Sequence, residues 1–183
     1  ADRPETVIAL RAVEGQVRWD EARLRLEEQG RPVIQASLNQ PLVFQAQPAA
    51  GAPEAGEASL DIVIDNLTAQ MLRPWLALAG VDKDAQPRQG TISGQMTLQA
   101  ARLGQQLAFN GRLQATDFIL PGLDRPLDLT QRTQARLDEL DRLRLEQVTL
   151  DLSADQQTIM NAQLQGNYQI QDARGDLSLQ ATL

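Results

Sequence analysis

Cysteine and histidine are both absent from the chain. The first absence excludes disulfides, thiol nucleophiles and thiolate zinc sites. The second removes the commonest general base and the commonest transition-metal ligand. Aromatic residues make up only 3% of the 183 positions, so Leu, Ala, Val and Ile must carry the apolar surface. Such a set lacks large anchors for a dense core and points to an extended sheet. No run of about 18–20 apolar residues occurs, so no segment reads as a transmembrane helix. Basic charge is also in short supply: the formal net charge is −7 and the pI about 4.6. An acidic chain repels phosphate backbones, which disfavours nucleic-acid binding, and it lacks the basic patch that adheres to anionic membranes.

What is present suits one globular unit over residues 1–183, with 42% hydrophobic residues. Its dominant pattern has period two, the mark of a strand with one face buried. Met160, Ala162, Leu164, Gly166, Tyr168 and Ile170 fall on one face, with Asn and Gln between them. Leu177, Leu179, Ala181 and Leu183 repeat the pattern after a hairpin connection at 171–175. Leu60, Ile62 and Ile64 alternate with Asp61 and Asp65, though Val63 is apolar on the outer side. Ile92, Gly94, Met96 and Leu98 lead through a turn at 103–106 to Leu107, Phe109, Gly111 and Leu113. Val148, Leu150 and Leu152 form a further set. Toward the N-terminus, 7–13, 16–19, 22–26, 33–38 and 42–46 are strand candidates divided by Gly15, Gly30 and Pro41.

Three stretches depart from this pattern. Residues 47–58 are rich in Pro, Gly and Ala and read as a flexible loop. Residues 68–80 read as a short helix, with Thr68 as N-cap, an apolar stripe of Met71, Leu72, Trp75, Leu76 and Leu78, and Gly80 as stop. Pro74 should shorten or kink it. Residues 130–145 admit a helix through Leu137, Leu140 and Leu143, or two strands through Ala135 with Leu137 and Leu143 with Leu145; the context favours strands. Gly94, Gly111 and Gly166 sit inside strands on the apolar face, where Gly costs stability unless another backbone passes close or the strand bends. The fold expected is therefore mainly β, a curved antiparallel meander sheet forming an open groove, with one short helix.

Residues that could carry chemistry have plainer explanations. The pairs Asp82/Asp84, Asp138/Asp141 and Glu27/Glu28 lack the spacing of a calcium loop and read as solvated turn residues. No serine lies in a nucleophile-elbow motif. Gly90-Thr-Ile-Ser-Gly94 lacks the Lys of a phosphate loop and precedes a strand. Asn66-Leu67-Thr68 matches a glycosylation sequon but reads as the helix N-cap region. No residue is assigned as catalytic, no metal or cofactor is expected, and an enzyme is the least favoured class. The helix stripe either packs on the sheet or plugs the mouth of an apolar trough through Met71, Leu72, Trp75 and Leu76.

The run from Leu60-Asp-Ile-Val-Ile-Asp-Asn-Leu67 through a helix ending at Gly80, then Gly90-Thr-Ile-Ser-Gly-Gln-Met-Thr-Leu98 and 107–118, resembles the AsmA-like family of Gram-negative envelope proteins. So does Leu164-Gln-Gly-Asn-Tyr168 with the strand that follows. The family includes the TamB-like and DUF748-type repeating β-groove, or bridge-like, lipid-transfer proteins. The resemblance spans residues 58–183 by texture, and 1–46 only loosely. It implies a periplasmic module of an inner-membrane-anchored protein, whose groove carries phospholipid or other acyl lipid between the two membranes. On this reading the chain is a piece of something longer, which the opening Ala1-Asp-Arg-Pro4 and the close at Leu183 within an alternating pattern also suggest.

The expected groove lining is Leu60, Ile62, Ile64, Ile92, Met96, Leu98, Leu107, Phe109, Leu113, Val148, Leu150, Leu152, Met160, Leu164, Tyr168, Ile170, Leu177 and Leu179. Two other readings stand beside it. In one, the same sheet is closed by a second sheet or a partner as a structural module. In the other, its edge strand assists outer-membrane protein assembly by β-augmentation.

Overall fold

The computed structural model describes residues 5–13, 16–45, 57–101 and 104–183. Eleven antiparallel strands form one sheet: β1 Glu5–Val13, β2 Gln16–Glu28, β3 Arg31–Leu38, β4 Leu42–Gln45, β5 Ala58–Thr68, β6 Gln89–Ala101, β7 Gln106–Ile119, β8 Leu127–Asp138, β9 Arg142–Ala154, β10 Gln157–Gln169 and β11 Arg174–Thr182. Neighbours follow chain order, except that β4 pairs with β2 and lies off the main path. The sheet is open, ending at β1 on one side and β11 on the other. This is the mainly β antiparallel meander that the alternation predicts. Residues 47–56 of the expected loop lie outside those described, as do Gly15 and Leu103, and Ala58 already belongs to β5.

The ambiguous stretch resolves into β8 and β9, joined by a turn in which Glu139 and Leu140 take φ of 54° and 55°. The two candidates at 16–19 and 22–26 are one strand, β2. Its first part pairs with β4 and its second with β3. Asn39-Gln40-Pro41 separates those partners, and Pro41 has no N–H for a ladder. Asn39 instead binds β5, its Oδ1 accepting from the Ser59 N–H at 2.6 Å.

Bulges interrupt most of the ladders. Between β5 and β6 the register shifts from Ile64 to Leu67, and Asn66 takes φ 52°. Its N–H donates to Ser93 Oγ at 3.0 Å. Between β7 and β8 the shift runs from Ala115 to Phe118, Asp117 takes φ 54°, and its N–H donates to Asp128 Oδ1 at 2.9 Å. In each case a side chain from the next strand satisfies an amide released from the ladder. Further shifts lie between β8 and β9 and between β9 and β10. A bulge of this kind bends its strand locally and increases its twist. Close approach explains two interior glycines: a Cβ would strike the Arg112 carbonyl oxygen at Gly94, and that of Asp176 at Gly166.

Helix α1, Ala69–Leu78, connects β5 to a 3-10 turn at Lys83–Ala85 and then β6. The Thr68 hydroxyl accepts from the Met71 N–H at 3.3 Å, as its N-cap position predicts. At the other end Gly80, with φ 78°, lets its N–H reach Ala77 O and the Val81 N–H reach Leu76 O. Pro74 lies within the helix. Full burial is scarce: of nine apolar residues fully buried among those described, six are alanines. The most completely buried is Leu42, which packs on Ala58 and Ala100 with Trp19, Leu38 and Leu107 around them.

Candidate functional site

Cross-strand partners in an antiparallel sheet project from the same face, so the register places every strand side chain. One row runs from β3 to β11 through Leu38, Leu60, Leu98, Phe109, Ala135, Leu145, Gly166 and Leu177. A second runs through Ala36, Ile62, Met96, Gly111, Thr133, Val148, Leu164 and Leu179. A third takes Ile34, Ile64, Gly94, Leu113, Gln131, Leu150, Ala162 and Ala181. On one flank lie Leu67, Ile92, Ala115, Leu129, Leu152 and Met160. On the other lie Ala58, Ala100, Leu107, Leu137, Leu143, Tyr168 and Gly175. All these positions share one face.

Every residue of the expected lining is in these rows except Ile170. That residue lies beyond the end of β10, in the turn to β11, and is 48% exposed. The large side chains of β5–β10 in the rows are half-buried, with Leu67 fully buried. They are neither sealed in a packed interior nor scattered over unconnected surfaces. A filled sandwich would bury such Leu and Ile side chains completely.

Several members of the face were missed in the sequence. Leu143 and Leu145 precede a bulge, after which Val148, Leu150 and Leu152 continue with the opposite parity. Leu67 follows Ile64 in the same way. The signal for both is present: an alternation that skips one position and resumes marks an inserted residue.

Of the expected helix residues, Met71, Leu72 and Leu76 are half-buried, and α1 packs against β5 and β6. Trp75 is 62% exposed and Leu78 83%, so these two project into solvent. Part of the stripe is therefore half-buried and part of it, including Trp75, is exposed.

The opposite face is polar. Asp61, Thr97, Asn110, Gln134 and Gln147 form one row across it, with Thr97 Oγ1 donating to Asp61 Oδ1 at 2.9 Å. Val63, Gln95, Arg112, Arg132 and Thr149 form another, and Val63 is 40% exposed there. A cleft of about 810 Å³ beside the end of α1 is lined by Arg73, Asp82, Lys83, Asp84 and Arg88 among others, away from the apolar rows. Among the described residues no acidic group gathers to hold a metal ion, and no helix is long and apolar enough to cross a membrane. No protein-family model matches the chain, and neither does any curated protein or solved structure.

Proposed function

We propose that the apolar face binds the acyl chains of lipids, and that the protein serves as a periplasmic β-groove module conducting phospholipid between inner and outer membranes, contributing to envelope lipid homeostasis. The supporting observation is the set of apolar rows that cross the strands from β3 to β11, interrupted on β8 by Gln131 and Thr133, half-buried as far as β10 and without a second sheet over them among the described residues. An acyl chain laid along such rows crosses successive strands at about 4.8 Å intervals. Burying its methylenes contributes about 0.8 kcal/mol each, so a tail of about 16 carbons gains on the order of 10 kcal/mol before losses. Aliphatic side chains offer no strong local trap, which suits movement along the face. The AsmA-like resemblance belongs to the same proposal, as does anchorage in the inner membrane through other parts of a longer chain.

Native mass spectrometry of as-purified and delipidated protein tests the reading. Extra mass matching acyl lipid, restored by adding lipid back, is the expected result. Identical masses together with no binding of a fluorescent fatty acid would contradict it.

A second reading, assembly of outer-membrane proteins through a sheet edge, draws on β11. Its residues are all exposed, with Leu177 and Leu179 at 57% and 69%. Among the described residues β11 pairs only with β10, in a ladder without a register shift, a geometry that an extended partner strand could join. Crosslinking from β11 to a barrel client, with no lipid bound, would favour this reading over lipid carriage.

A further inference from the structure

The apolar face has a polar interruption at its middle. On β8, where the alternation calls for aliphatic side chains, the face carries Gln131 and Thr133. Gln131 lies between Leu113 of β7 and Leu150 of β9, and Thr133 between Gly111 and Val148. Both are half-buried, and Gln131 Nε2 donates to Thr133 Oγ1 at 2.8 Å. Beside Thr133, Gly111 contributes no side chain; the Phe109 ring and Met96 Cγ lean over it, 3.2 and 3.3 Å from where a Cβ would stand.

The bond between them leaves part of the hydrogen-bonding capacity of this pair open. A carboxamide has two N–H donors and an acceptor oxygen, and a hydroxyl can donate while it accepts. The bond between them uses one Gln131 donor and one Thr133 lone pair. One Gln131 N–H and the Thr133 O–H remain, and no other partner for either is present among the described residues. Both side chains are half-buried on an open face, so water can accept from these donors until a ligand's acceptor takes its place.

Building on the lipid-binding reading, we infer that Gln131 and Thr133 form a station for the ester carbonyls of a diacyl glycerolipid, making the face selective for ester-linked lipid over a bare hydrocarbon chain. Two carbonyl oxygens match two donors, and an ester has no donor that would compete for them. The place in the sheet suits this role. From β8, a tail along the rows reaches β5 across three strand spacings or β11 across three, about 14 Å either way. The station therefore fixes where the glycerol end rests while the tails lie on Met96, Phe109 and Leu113 or on Val148 and Leu150. Gln131 and Thr133 act here as specificity-determining residues.

Dioctanoylglycerol and its ether analogue dioctylglycerol test the inference, since they share chains and glycerol and differ in the carbonyls. Their affinities are compared for the wild-type protein, for the double variant Gln131→Leu/Thr133→Val, and for Thr133→Ser, which keeps the hydroxyl. The expected result is a wild-type preference for the ester of about five- to tenfold, retained by Thr133→Ser and abolished in the double variant, whose ether binding is unchanged. Circular dichroism confirms that each variant keeps its sheet. Equal binding of ester and ether by the wild type, or a preference that survives in the double variant, overturns the station and leaves the lipid-binding face intact. Binding of neither compound by the wild type overturns both.

Discussion

The interior strands and the C-terminal edge carry the same sequence grammar but differ in burial. On β6, β7 and β9, Met96, Leu98, Phe109, Leu113, Val148 and Leu150 are half-buried. On β11, Leu177 and Leu179 occupy the same rows yet stand 57% and 69% exposed. Alternation is equally clean in both regions, so the sequence of a strand does not determine how deeply it is buried. Neighbours on both sides do. The apolar rows are half-buried across the interior strands and exposed on β11.

Substitutions can break this contrast, beginning with backbone packing. Gly94→Val places a branched side chain against the Arg112 carbonyl and the Leu113 side chain, and should cost about 3 kcal/mol in urea unfolding. A charge on the apolar face follows. Leu98→Asp, flanked by Leu60 and Phe109, should cost about 2 kcal/mol, and Leu177→Asp at the edge less than about 0.5 kcal/mol. Equal losses at Leu98 and Leu177 would remove the distinction between interior and edge. Removing the bulge partners is a smaller perturbation. Ser93→Ala and Asp128→Ala each leave one bulge amide to water and should cost about 1 kcal/mol, with local loss of hydrogen-exchange protection around Asn66 or Asp117. Thr68→Ala, which removes the α1 cap, should cost about as much or less, with β11 untouched.

The fold was legible because side-chain alternation is a local property that survives in the sheet. Helix α1 was legible for a related reason: Thr68 and Gly80 act on backbone groups within a few residues of themselves. Less legible were features that depend on cross-strand register. Leu143, Leu145 and Leu67 join the face through bulges at 145–148 and 64–67, whose presence shows only as a change of parity. Ile170 keeps the parity of β10 but lies past its last ladder pair, since a strand's end is set by its turn. Trp75 belongs to the apolar stripe of α1 in sequence, yet only part of that stripe is half-buried and Trp75 is exposed. The polar pair on β8 was hidden because 130–145 had two readings, and only the strand pairing puts Gln131 and Thr133 among the Leu and Val side chains.

The face itself can be mapped with a phospholipid carrying a photoreactive diazirine in its acyl chain, followed by peptide mass spectrometry of the crosslinked protein. Labels on Leu98, Leu113, Val148 and Leu150, with Gln95, Arg112 and Gln134 unlabelled, are the expected result. Labels distributed over both faces, or confined to the polar one, would contradict the proposal that these rows carry lipid.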